Sequence, residues 1–333
     1  MRKFLAIAAI SAAISMASVG GSQAAAACGK VTMAGLNWGS ASILGAIDKQ
    51  ILEKGFGCKV EIIPGGTVPS FTSMAEKSQP DIMGELWPNA AGINPYQAAI
   101  KDGRIVEAAA TSPIGGVEEG WYILPNILEK HPELTTLQAV LARPDLFPHP
   151  EDASKGGFVT CPPGSGCQIS NANLFNAFDM KNKKWKMVET GSYAAEDATI
   201  AKAAERNQAW FGYYSAPTAF IDKYKLKKLD WGVGFAGADN WACITKPECP
   251  NPKPSAWTES FVRTIYTKTF ADRKLTDVNA YLGKRVIPGE VMNALLGYMD
   301  DNQATPDQVA AVFFSKYDIW KGWVSQDVAK NIK

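Results

Sequence analysis

Three tryptophans stand where β-strands are expected to end: Asn37-Trp38-Gly39, Leu86-Trp87-Pro88 and Gly120-Trp121. In open α/β sheets a ligand binds outside the carboxyl ends of the strands. Trp38, Trp87 and Trp121 are therefore expected to face one crevice. An aromatic face attracts a cation by about 0.5–2 kcal/mol and needs no N–H in return. Several such faces suit a quaternary ammonium, which has no N–H to donate. Trp185, Trp257, Trp320 and Trp323 lie in helical or basic surroundings and are assigned to ordinary packing.

A second feature suits an anion. Gly164-Ser165-Gly166-Cys167 precedes a helix expected to begin near Gln168. Unpaired N–H groups and the positive dipole end at a helix N-terminus favour a carboxylate such as that of a betaine. Glu85 lies two residues before Trp87, and side chains two apart on a strand share a face. Its carboxylate is expected either near a ligand amine or paired with Lys or Arg.

Motifs for catalysis are missing. Gly232-Val-Gly234-Phe-Ala-Gly237 has dinucleotide-loop spacing, but a Cys/Pro-rich segment follows it where that motif requires a helix. There is no G-x-S-x-G and no phosphate loop. The two histidines, His131 and His149, sit next to prolines in loop-like contexts. No C-x2-C pair suggests a metal. The expectation is a protein that is not an enzyme and uses no cofactor or metal.

Composition supports export and a folded chain. With 46% hydrophobic residues and a net charge of +1, the 333-residue chain has enough apolar surface for two cores and no basic excess for nucleic acid. Arg2 and Lys3, the apolar run 4–14 and the Ala-rich end at 24–27 form a secretory signal peptide over residues 1–27. Removing it drops the basic count from 34 to 32 against 33 acidic residues. Six cysteines fit an oxidising compartment. Cys161 with Cys167 and Cys243 with Cys249 are close in sequence, which leaves Cys28 with Cys58; lipidation of Cys28 is the competing use.

Periodicity predicts strands over 31–36, 59–63 and 81–87, helices over 40–54, 68–77 and 93–102, and a strand over 105–109. A second alternating unit runs from about 121 to 231. Only helices are expected after that, over 256–270, 277–282, 288–301 and 305–321. The β-α alternation implies parallel sheets covered by helices.

Leu36-Asn37-Trp38-Gly39-Ser40, Asp81 to Pro88, Gly120-Trp121-Tyr122-Ile123, Cys161 to Cys167 and Trp210 to Pro217 together resemble the solute-binding proteins of ABC importers for glycine betaine, proline betaine and choline. The resemblance implies an α/β, two-lobed periplasmic binding protein of type II, two doubly wound sheets joined by a hinge. Residues 28–115 with 228–333 would form one lobe and 116–227 the other. It implies a monomer that passes a small ligand to an ABC permease and its cytoplasmic ATPase from the periplasm. Trp38, Trp87 and Trp121 match the family's cage aromatics, and Ser165, Gly166 and Cys167 match its carboxylate loop. Two departures stand out: Ser165 and Ser215 replace aromatic cage positions. Tyr214, Tyr122 or Tyr193 would rebuild the cage; otherwise the pocket suits an amino acid such as histidine or proline.

Overall fold

The computed structural model describes residues 28–332, and the expected signal peptide lies outside them. Eleven strands fall into two sheets among the described residues. β1 (Gly29–Gly35), β2 (Cys58–Pro64), β3 (Ile82–Leu86) and β4 (Ile105–Glu107) belong to the first. The second holds β5 (Glu118–Ile123), β6 (Pro148–His149), β7 (Asp152–Thr160), β8 (Trp185–Glu189), β9 (Phe211–Ala216) and β10 (Lys227–Lys228). β11 (Arg263–Thr267) returns to the first sheet, whose order is β2-β1-β3-β11-β4.

The two sheets share one plan. In the first, β1, β2 and β3 are parallel and β11 is antiparallel beside β3. In the second, β7, β8 and β9 are parallel and β5 is antiparallel beside β9. The chain crosses between sheets twice, after β4 and before β11, so each sheet receives its antiparallel strand from a crossing.

Local chemistry explains the parallel units. Helix Gly39–Gln50 buries Ile43, Leu44 and Ile47 on the face toward the sheet, and the apolar row continues through Ile51 and Leu52. Gly29 lies opposite Cys58 in the β1–β2 ladder, so the strand starts are adjacent and Cys28 and Cys58 form a disulfide. Cys161–Cys167 and Cys243–Cys249 are the other two bridges. Gly212 lets β9 approach β7, since a Cβ there would stand 2.7 Å from the Val159 carbonyl oxygen.

One expected helix is a strand. The sequence predicts a helix over 256–270, yet β11 runs through this stretch and a four-residue helix, Lys268–Ala271, follows. Thr264, Ile265, Tyr266 and Thr267 are all buried. A strand covered on both faces reads as a continuous run, and its period cannot be told from that of a buried helix. The segment leading to it packs on the second core, where Leu229, Trp231, Trp241, Trp257 and Val262 join Trp121 and Phe158. No described helix is long and apolar enough to cross a membrane.

Candidate functional site

The carboxyl ends of parallel strands from both sheets meet at one cavity of about 390 Å³. That size falls within the ~300–1,000 Å³ typical of small-molecule sites. Trp38 follows β1 and Trp87 follows β3; both line the cavity. Opposite them, Gly166 and Cys167 follow β7, Tyr193 follows β8, and Tyr214, Ser215 and Pro217 come from the end of β9. The lobes touch here. The edge of Tyr193 meets Trp38 with centroids 5.8 Å apart, and the Val68 N–H donates to the Gly164 carbonyl at 3.3 Å.

Glu85 fixes the indoles from behind. Its Oε1 accepts from Trp38 Nε1 at 2.7 Å, Ser40 Oγ at 2.8 Å and Trp87 Nε1 at 2.9 Å. Both indole N–H groups are thereby consumed, so their rings can offer only faces and edges to the cavity. Burial pushes the Glu85 carboxyl up to about 7, against the pull of those three donors. Beyond Glu85, Thr264 Oγ1 donates to the Gly84 carbonyl at 2.8 Å and accepts from Arg285 at 2.9 Å. Arg285 is ion-paired with Asp48 at 2.7 Å, both fully buried.

The facing wall carries a helix N-terminus and acidic groups. Helix Gly166–Ala177 begins at the cavity, and no side chain caps its first N–H groups. Cys161–Cys167 ties that end to the end of β7. Glu119, Glu196, Asp197 and Asp300 line the cavity, and none of the described lining residues is Lys, Arg or His. Glu119 accepts from Tyr213 Oη at 2.8 Å and Ser260 Oγ at 2.9 Å; burial raises its carboxyl. Asp197 accepts from Tyr214 Oη, and burial lifts its carboxyl to about 6. Glu196 is raised well above the usual range by burial, with Asp197 adding to the effect.

Three sequence expectations need correction. Trp121 is not in the cavity: it is 1% exposed, packed against Phe158, Phe211 and Trp231, and its Nε1 donates to Asn171 at 2.8 Å. It shares a strand face with Glu119 but lies one pleat repeat, about 7 Å, further from the cleft. Glu85 does not line the cavity and makes no ion pair among the described residues; its Oε1 is taken by the two indoles and Ser40. Ser165 lies behind the wall, where it accepts from Tyr193 Oη at 2.8 Å. Trp38, Trp87, Gly166, Cys167, Tyr214 and Ser215 all line the cavity, as does Tyr193; Tyr122 does not. Glu119, Glu196 and Asp197 escaped the sequence reading. The one available signal was the Glu196-Asp197 pair in the first turn of an Ala-rich helix, and that pattern ordinarily marks a solvated face.

Two α/β lobes with facing strand ends and a shared aromatic cavity define a type II solute-binding protein. Residues 29–316 match the family described as the substrate binding domain of ABC-type glycine betaine transport systems, and the chain belongs to that family. No curated protein sequence matches the chain. Among solved structures, the glycine/betaine/L-proline-binding protein of Borrelia burgdorferi is similar at 16% identity over 91% of this chain and all of its own, with a TM-score of 0.71. A choline-binding protein of an ABC transporter, in complex with choline, matches at 15% identity over 92% of this chain and 99% of its own, with a TM-score of 0.68. The lactococcal protein in its closed form with glycine betaine matches at 18% identity over 91% of this chain and 99% of its own, with a TM-score of 0.64. At these identities the structures report the fold. The matched family favours a betaine-type binder over the histidine or proline alternative.

Proposed function

We propose that the mature chain captures a small quaternary ammonium compound of the betaine and choline class between its lobes and hands it to an ABC permease served by a cytoplasmic ATPase. Trp38 and Trp87 are the ligand's cation faces, Tyr193 and Tyr214 complete the wall, and Gly166, Cys167 and Ser215 offer polar contacts. The chain acts as a monomer in the periplasm after its signal peptide is cleaved. One lobe comprises 28–115 with β11 and the helices after it, and the other 116–262, since the segment from Leu229 to Val262 packs on the second core and not, as the sequence suggests, on the first; the crossings between them are the hinge. Ligand binds the closed arrangement best and so draws the population toward it.

The carrying observation is that one carboxylate oxygen holds two indoles at the cavity edge with no N–H left to offer. Calorimetric titration with glycine betaine, proline betaine, choline and carnitine tests the reading. Saturable binding of at least one is expected, and no heat with any of them overturns it. Trp87→Ala removes one ring face, so affinity should fall by about 2- to 30-fold, the equivalent of ~0.5–2 kcal/mol. An unchanged dissociation constant would remove Trp87 from the site.

A further inference from the structure

Beyond Tyr193 the cavity wall is acidic, and one of its carboxylates has no partner. Glu196 is 1% exposed, lines the cavity, and its Oε1 is buried without a hydrogen-bond donor. Glu196 follows Tyr193 by three residues in helix Tyr193–Glu205, which puts the two on one face a single turn apart. Tyr193 is the residue that meets Trp38 across the cleft. Glu196 therefore stands one helical turn along the wall from the aromatic pair. Asp197 also lines the cavity, and Asp300 reaches it from the other lobe while paired with Lys223 at 2.6 Å.

We propose that Glu196 anchors a second cation subsite, and that the ligand is a net cation with two positive centres: a quaternary ammonium against the indoles and an N–H-bearing ammonium or guanidinium that donates to Glu196. This deepens the function proposed above and rests on it. A buried carboxylate is tolerated when it is paired and hydrogen-bonded. A quaternary nitrogen supplies charge but no N–H, so it leaves Oε1 unsatisfied. Burial favours the neutral form of Glu196; an ammonium beside it favours the ionised form, whereas a zwitterion's carboxylate opposes ionisation there and at Asp197. An arm with both charge and N–H meets both requirements.

The test is calorimetric titration of the full mature chain with glycine betaine, choline and (2-aminoethyl)trimethylammonium. The aminoethyl compound is expected to bind at least tenfold more tightly than choline, with glycine betaine weakest. Glu196→Gln should lower affinity for the aminoethyl compound at least tenfold while changing choline binding less than threefold. Glycine betaine or choline binding as tightly as the dication would overturn the second subsite and leave the proposed function standing. Unchanged dication affinity in Glu196→Gln would do the same. Failure of all three compounds to bind would overturn both. Should Glu196→Gln not fold, the ranking on the unaltered protein decides alone.

Discussion

Glu85 organises the aromatic site without entering it. A single oxygen takes three donors, two of them the indoles that form the cavity edge. The acid is buried, and its proton is held more tightly in the folded protein than in the unfolded chain, at about 7 against 4.5. The sign follows from proton linkage. The stability associated with the retained proton is full below pH 4.5 and is lost as the pH rises through about 7. At ~1.4 kcal/mol per unit the whole effect is on the order of 3 kcal/mol. Glu85→Gln keeps an acceptor oxygen for the indoles and removes the titration. Urea denaturation of both proteins from pH 4.5 to pH 8 should show the variant gaining on the parent as pH rises; a constant gap would mean Glu85 is ionised throughout.

At the scale of elements, the site is assembled by strand ends. Trp87 follows β3 directly and Trp38 follows β1 after two residues, and each supplies the N-terminal flank of the next helix. The same arrangement on the second sheet brings Gly166 and Tyr193 to the opposite wall. The Cys161–Cys167 bridge fixes the start of helix Gly166–Ala177 against β7. By the chain-entropy model a loop of this length contributes about 2 kcal/mol. The double variant Cys161→Ser/Cys167→Ser should therefore unfold at lower denaturant by about that amount. Its affinity for glycine betaine should fall as well, because the helix start would no longer be held where a carboxylate can meet it. Full affinity in the double variant would show that the helix N-terminus makes no contact with ligand.

For the whole molecule, the proposed transport cycle requires the lobes to part and close. They touch closely where Gly66 faces Gly164: a Cβ on Gly66 would stand 3.2 Å from the Gly164 carbonyl oxygen. The backbone at Gly66 has φ −127°, which any residue adopts, so a side chain there strains the contact between lobes and not the local chain. Gly66→Val should act as a wedge. Overpacking of about 1–3 kcal/mol falls on the closed form alone, so ligand affinity should drop by about 5- to 150-fold. Unfolding of the ligand-free protein should stay the same. Small-angle scattering should show a smaller ligand-induced compaction in the variant than in the parent. Equal affinity and equal compaction would show that this contact does not limit closure.

The sequence by itself determined the features that local pattern controls. The strands that lead to Trp38 and Trp87, the helices between them and the family likeness all depend on residues within a few positions of each other. The local cysteine spacings belong to the same class, and Cys28 with Cys58 follows from two parallel strands starting side by side. The tertiary structure decided what depends on long-range placement. β11 is recognisable only when both of its faces are seen to be covered, because a fully buried strand lacks the alternation that period analysis reads. Trp121 shared a local pattern with Trp38 and Trp87, yet a step of two residues along β5 sent it into the second core and left Glu119 at the cleft. The unpartnered Glu196 was invisible for the same reason. Whether a carboxylate in a helix's first turn meets water or a closed cavity is set by the lobe opposite, and no pattern within that helix records it.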